Sequence, residues 1–193
     1  MTTLLRPPVL GLAAVLIGAV PAAAQSGPLA EKLQLCAACH GEDGNSKMEK
    51  IPSLAGQPAF FVLNQLFLMR EGVRKVEAMA EIVKTLKDQD LTDLSEHFAK
   101  LAPKRSDEPI DPELVKRGKE IATQQRCASC HLPTLAGQEQ MPRVARQRID
   151  YLVPTLKSYR DHPRDGADTA MSPPVGGLHD ADIMALAHYA ASL

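Results

Sequence analysis

A chain of 193 residues has room for one domain or two small ones, and its 45% hydrophobic content is ordinary for a globular protein. The formal net charge of −1, spread without a basic field in either half, excludes the electrostatic footprint of a nucleic-acid binder. Aromatic residues are 4% of the chain and Trp is absent, so two small cores lack the large side chains to fill themselves.

The first segment reads as a leader. An apolar run from Val9 to Val20 follows Arg6 and a Pro pair, and Ala22 and Ala24 then stand in the small-x-small pattern of a signal peptidase site. The run spans about 18 Å as a helix, short of a hydrocarbon core of about 30 Å, so it suits a cleaved signal better than an anchor. Residues 1–24 are therefore expected to be removed, and the mature chain to be exported and soluble.

The next element is a helix over "GPLAEKLQLCAACH", with Leu29, Leu33 and Cys36 on one face. It ends in Cys36, Cys39 and His40. A loop leads to Pro52, and a middle helix is predicted from Ala59 to Arg70. Met79 comes next, in a loop, before a last helix over "DLTDLSEHFAKL". The acidic residues at its start favour the positive N-terminal end. "APKRSDEPIDPE", with three prolines and many charges, reads as a linker.

The second half repeats this order. A helix over "PELVKRGKEIATQQRCASCH" carries Leu114, Ile121 and Cys127 on one face, and Pro112 suits its start. It ends in Cys127, Cys130 and His131. Pro142 matches Pro52, Tyr151 matches Phe61, Arg160 matches Arg70 and Met171 matches Met79. A middle helix is predicted from Ile149 to Tyr159 and a last one over "DADIMALAHYAASL". The expected organisation is all-α, with an N-terminal domain over 25–101, a linker over 102–112 and a C-terminal domain over 113–193. Three main helices per half are joined by long loops, which need something to pack against.

The four cysteines of the chain all lie in two Cys-x-x-Cys-His motifs. A four-thiolate zinc site would leave both adjacent histidines unexplained and would join pairs that belong to separate repeats. A thioredoxin-like redox pair belongs beside a strand–helix–strand unit, and no such pattern is present. Covalent haem attachment accounts for everything together. Two thiols on one helical turn add to the two porphyrin vinyls, and the following His ligates the iron from the proximal face. The haem would also supply the missing core. Two haem c groups are expected, held through Cys36, Cys39, Cys127 and Cys130, with His40 and His131 as axial ligands.

Met opposite His is the usual sixth ligand of an electron carrier. The repeat selects Met79 and Met171. Met69, inside the middle helix, is the rival of Met79. Met184 reads as core packing, and Met48 and Met141 are loop residues near each motif. His97 and His188 lie on the last helices and take no assigned role; His162 and His179 read as exposed. The carbonyls of Pro52 and Pro142 either accept the second imidazole N–H or only shape the loop. Arg70 and Arg160 either pair with haem propionates or sit at solvated helix ends.

The motifs "CAACHGEDGNS", "IPSLAGQ" and "LKDQDLTDL" resemble the dihaem cytochrome c4 family, two class I cytochrome c domains in tandem. The resemblance covers nearly the whole mature chain. It implies a bacterial, periplasmic electron carrier, with haems near a pseudo-twofold domain interface and a loose association with the membrane. Its partners would be respiratory-chain proteins: a membrane complex, a terminal oxidase or a dehydrogenase. Two departures stand out. The second motif continues "HLPTLAGQEQ", so its loop is expected to differ, and Lys87 and His179 replace the Ser that starts the last helix in many relatives. The dihaem subunit of flavin-linked sulfide dehydrogenase shares the tandem layout, which keeps a complex-bound subunit as the alternative. A haem enzyme would need an open iron position, and two matched Met ligands argue for a carrier instead.

Overall fold

The computed structural model describes residues 28–162 and 169–193. The predicted leader, with its cleavage site, lies outside the described residues. Helix α1 (Pro28–His40) places Leu29, Leu33 and Cys36 against the first core, as its spacing predicts. Helix α2 (Ala59–Arg70) starts after Pro58, whose φ of −54° pre-sets the entry. It ends at Glu71 and Gly72, the latter at φ +72°.

The sequence reading expects a loop around Met79, but a short helix, α3 (Glu77–Lys84), holds it. Its eight residues are too few for apolar periodicity to stand out. Glu77 in the first turn and Lys84 in the last favour it electrostatically, and Val83 anchors it in the core. Helix α4 (Asp88–Lys100) closes the first half. The Asp90 carboxylate accepts the Lys87 backbone N–H at 2.8 Å, which satisfies an N-terminal donor without a Ser cap. Val62, Leu66, Val83, Leu86, Leu91, Leu94 and Phe98 form the core of this half.

Helix α5 (Pro112–Gln124) starts on Asp111, whose side chain accepts the N–H groups of Glu113 and Leu114. The predicted continuous helix to His131 is broken: Arg126 sits at φ +57°, and a separate turn, α6 (Ala128–His131), carries the motif. Helix α7 (Ile149–Asp161) follows, two residues longer than predicted. Its first N–H groups, of Ile149 and Asp150, are accepted at 2.9 Å by the carboxylate of Glu108, a linker residue. A 3₁₀ turn (Thr169–Met171) leads into α8 (Ser172–Val175), and α9 (Asp180–Ser192) ends the chain. At the start of α9, Asp182 accepts the His179 N–H at 3.0 Å, the same device as in α4.

Helices α5 and α9 cross at Gly118, where an added Cβ would lie 2.7 Å from Tyr189 Cβ and run into the Ala185 carbonyl. Alanines 185, 187, 190 and 191 of α9 are buried, so α9 presents a smooth face to close approach. The cores of the second half are built from residues of that half alone, as the core of the first half is from its own. Between them the chain from 102 to 111 carries no helix. It is fastened to the first half by Asn45, which donates to the Ala102 carbonyl and accepts from the Lys104 N–H, and by the 2.6 Å pair of Lys104 with Asp43.

Candidate functional site

The first Cys-x-x-Cys-His motif ends α1, whose apolar face reaches the core, and the second forms the turn α6 that follows α5. Cys36 packs on the first core and Cys127 on the second, while Cys130 is exposed. Burial in an apolar wall pushes the Cys36 and Cys127 thiols up. In α1 the i, i+3 spacing of Cys36 and Cys39 puts both sulfurs on one side of the helix.

His40 and His131 are buried at 7% and 5% exposure, which is unusual for a group this polar. Each spends one ring nitrogen on a backbone carbonyl: His40 Nδ1 lies 2.8 Å from the Pro52 oxygen, and His131 Nδ1 lies 2.8 Å from the Pro142 oxygen. A carbonyl only accepts, so Nδ1 carries the proton in both rings. Nε2 is then the bare lone pair, the state a metal ligand requires. Burial also pushes the His40 imidazole down, further favouring the neutral form. The open question over Pro52 and Pro142 is thereby answered: they orient the histidines as well as shape the loop.

Met79 and Met69 both pack on the first core, together with Cys36, and Met171 packs on the second with Cys127. Met48 and Met184 are exposed, at 48% and 37%. Met141 is tied into a two-residue bridge with Gln138. His188 Nδ1 accepts the Asp111 N–H at 3.2 Å, across the start of α5. His97 meets Phe98 edge-on.

Arg70 and Arg160 go to helix ends. Arg70 pairs with Glu71 at 2.9 Å and Asp88 at 2.8 Å, and donates to the Leu86 carbonyl. Arg160 repeats this with Asp161 at 2.6 Å, Asp180 at 2.8 Å and the Leu178 carbonyl. Each thus ties the end of a middle helix to the start of the last one.

A third arginine had no sequence signal. Arg143 is 3% exposed and faces carbonyls: Nε donates to Ala55 at 3.1 Å and Nη1 to Ala145. Its Nη2 is buried without a partner. Burial and nearby Arg146 push this guanidinium down to about 10. A desolvated cation with a spare donor calls for an anion. A haem propionate is such an anion, so thiols, bare imidazole nitrogens and this orphaned donor together fit a haem. Among the described residues no three His, Cys, Asp or Glu side chains gather as a metal site, which a four-thiolate zinc centre would require.

The loops after the two motifs share several fixed backbone points despite their different sequences. Gly41 and Leu132, Gly44 and Leu135, and Gly56 and Arg146 occupy matching positions, all with positive φ. The Gly44 carbonyl accepts the N–H groups of Leu54 and Ala55, and the Leu135 carbonyl accepts those of Val144 and Ala145. Between these fixed points the paths differ, as expected: the second loop is one residue shorter, with Gly137 and Glu139 at positive φ and a Gln138–Met141 bridge, where the first has Lys50 at positive φ.

The loops also meet each other. Gln57 and Gln147 occupy the same repeat position and reach across to the opposite half. The Gln147 amide accepts the Ser53 N–H at 2.8 Å and donates to the Ser53 carbonyl at 2.9 Å. The Gln57 amide does the same to Arg143, at 2.9 Å in both directions. Sequence reasoning missed this pairing, although the matched Gln at the end of "PSLAGQ" and "PRVARQ" was its signal.

Residues 115–193 match the family model described as cytochrome c. Cytochrome c4 of Pseudomonas aeruginosa is 32% identical over 90% of this chain and 91% of its own length. The crystal structure of reduced recombinant cytochrome c4 from Pseudomonas stutzeri superposes with a TM-score of 0.77 at 31% identity, covering 84% of this chain and 95% of that one. A thiosulfate dehydrogenase electron acceptor of Thiomonas intermedia is 28% identical over 81% of this chain and 77% of its own. The fold and its two histidine sites define an electron-transporting c-type cytochrome, all-α, with tandem domains. The chain belongs to the cytochrome c4 family, and its cofactors are two haem c groups.

Proposed function

We propose that the protein is a periplasmic dihaem carrier that shuttles electrons between respiratory-chain partners, with both irons ligated by His and Met. After loss of 1–24, domains over 25–101 and 113–193, joined by 102–112, each hold one haem. Cys36 and Cys39 attach the first and Cys127 and Cys130 the second. His40 and Met79 ligate the first iron, and His131 and Met171 the second. The observation that carries this reading is the pair of buried histidines with Nδ1–H committed to a prolyl carbonyl and Nε2 left bare.

When bound, each haem iron carries one electron as it cycles between ferric and ferrous. The chain supplies the rest. Pro52 and Pro142 hold the imidazole rings in one tautomer and one orientation, which keeps reorganisation small as charge changes. Thioether ligation by Met stabilises the ferrous state. Arg143, a buried cation with a donor to spare, would pair with a haem propionate. Among the described residues no helix is long and apolar enough to cross a membrane. Docking to partners is then weak and small in area, as redox encounters are.

Denaturing mass spectrometry of the mature protein is expected to retain two haem masses. Met79→Ala and Met171→Ala should each remove about half of the ferric near-infrared charge-transfer band and let carbon monoxide bind one haem. Loss of the band in Met69→Ala in place of Met79→Ala would overturn the first assignment, and ready carbon monoxide binding by the wild type would overturn the carrier reading.

The name of the Thiomonas relative favours a second reading, an electron-accepting subunit that docks onto a dehydrogenase. Purification from its native cells separates the two. A carrier elutes alone, and a subunit elutes with a stoichiometric, catalytically active companion.

A further inference from the structure

The glutamine exchange between the halves touches the axial histidines through a single bond system. The peptide group joining Pro52 to Ser53 accepts from His40 Nδ1 at its oxygen and donates from its N–H to Gln147. The peptide group joining Pro142 to Arg143 accepts from His131 Nδ1 and donates to Gln57. Each histidine is therefore one planar amide away from a glutamine of the opposite domain. All the groups involved are buried: Ser53, Gln57, Arg143 and Gln147 are 3–4% exposed.

We propose that Gln57 and Gln147 are crossed positioning residues: each sets the hydrogen bond on the axial histidine of the other domain, and so the potential of that domain's iron. The physical route is polarisation. An amide whose N–H is engaged by an acceptor carries more negative charge on its oxygen, and hydrogen bonds in such chains strengthen one another by roughly 10–30% each in a low-dielectric interior. Gln147 thus makes the Pro52 oxygen a stronger acceptor for His40 Nδ1–H. A stronger hydrogen bond at Nδ1 makes the imidazole a better electron donor at Nε2, which favours the ferric iron. Gln57 does the same for His131. The Gln147 oxygen also accepts the Arg148 N–H at 3.0 Å, and its Nε2 bond to the Ser53 carbonyl holds the amide in one orientation.

The arrangement makes the domain interface part of both iron sites. Any partner or ligand that shifts one half against the other alters both histidine hydrogen bonds without touching a haem.

This inference rests on the proposed His40 and His131 ligation, and its test is chosen to fail separately from that reading. Gln147→Met and Gln57→Met keep the side-chain length and remove every hydrogen bond of the amide. Holoproteins are followed by redox titration, with each haem resolved through the assigned hyperfine-shifted proton resonances of its own domain. The expected pattern is crossed. Gln147→Met raises the midpoint of the first iron, and Gln57→Met that of the second, read as a several-fold fall in the ferric-to-ferrous ratio of that haem at a fixed ambient potential. The Nδ1–H resonance of the same histidine moves toward a weaker hydrogen bond and exchanges faster with solvent. Equal shifts at both haems, a shift only in the mutated domain or no shift overturns the proposal. If axial His ligation itself were wrong, the wild type would lack the low-spin six-coordinate spectrum before any glutamine was changed. Should a variant fail to fold, exchange on the wild type decides: the Ser53 and Arg143 amide protons must be among the slowest to exchange in the molecule, and rapid exchange at either sinks the idea.

Discussion

Leu132 shows what the second loop costs at the level of one residue. It takes φ +67° and ψ 160°, a region in which almost only glycine is comfortable, and its partner in the first loop is Gly41. The motif needs this turn in both halves, because the chain must leave the buried histidine sharply and return to offer it a prolyl carbonyl. Leu132→Gly is expected to stabilise the holoprotein by about 1–2 kcal/mol, the strain at such a position less the added entropy of glycine. Denaturant unfolding of the second domain, followed by its haem absorbance, checks this. The reciprocal change is expected to destabilise, because a Cβ at Gly41 would lie 2.6 Å from the Asn45 carbonyl oxygen.

Helix packing in the second half turns on Gly118. Gly118→Ala pushes a methyl into the backbone of α9 at Ala185 and against Tyr189, and neither can step aside without moving a helix. A loss of about 1–3 kcal/mol is expected, typical of overpacking, and visible as a lower melting temperature of that domain. Helix starts carry their own pH dependence. The backbone N–H of Lys87, then Lys32, holds the Asp90 carboxyl below its ordinary value, and the N–H of His179, then Arg117, does so for Asp182. A carboxylate depressed in the folded state stabilises it above the ordinary value near 4 and loses that contribution as pH falls toward the depressed one. Stability is therefore expected to decline below about pH 4. Asp90→Asn with Asp182→Asn should lower stability at pH 6 and flatten that decline, as measured by melting at a series of pH values.

The whole molecule depends on what its side chains alone do not supply. Among the described residues few aromatics fill the cores: Phe98 and Tyr159 are buried, while Phe60 and Phe67 are half exposed. Cores of this size bury little apolar surface, so a group that binds only the native state contributes a large share of stability. Replacing Cys36, Cys39, Cys127 and Cys130 together is expected to leave a largely disordered chain. Circular dichroism of that variant checks it: near-native helicity with a cooperative melt would refute the expectation. The two halves are joined mainly through polar groups. Arg148 pairs bidentately with Asp150 and also donates to the Ser46 carbonyl, which adds to the glutamine exchange. A polar junction in which both glutamine amides are satisfied from the opposite half fixes one orientation between the domains with little apolar area.

Much of this was legible in the chain because it depends on short stretches. Haem attachment needs two thiols and a histidine within one turn, so five adjacent residues announce it, twice. The starts of α2 at Ala59 and α7 at Ile149 were read from the chain, and that of α9 from its Asp pair at 180 and 182. The repeat put Pro52 and Pro142 at matching positions, and their role followed once the distances were known. The tertiary structure decided what depends on residues far apart. It bent the backbone at Arg126, where one continuous pattern had predicted one helix. It sent Arg70 and Arg160 to the starts of α4 and α9, because Asp88 and Asp180 stand within reach only after the helices pack. It buried Arg143 with a donor to spare and crossed Gln57 with Gln147, each meeting a peptide group 86 or 94 positions away. Periodicity and motif spacing carry the local covalent and helical requirements of a chain; which buried donor finds which acceptor is settled only when two separately folded halves close on each other.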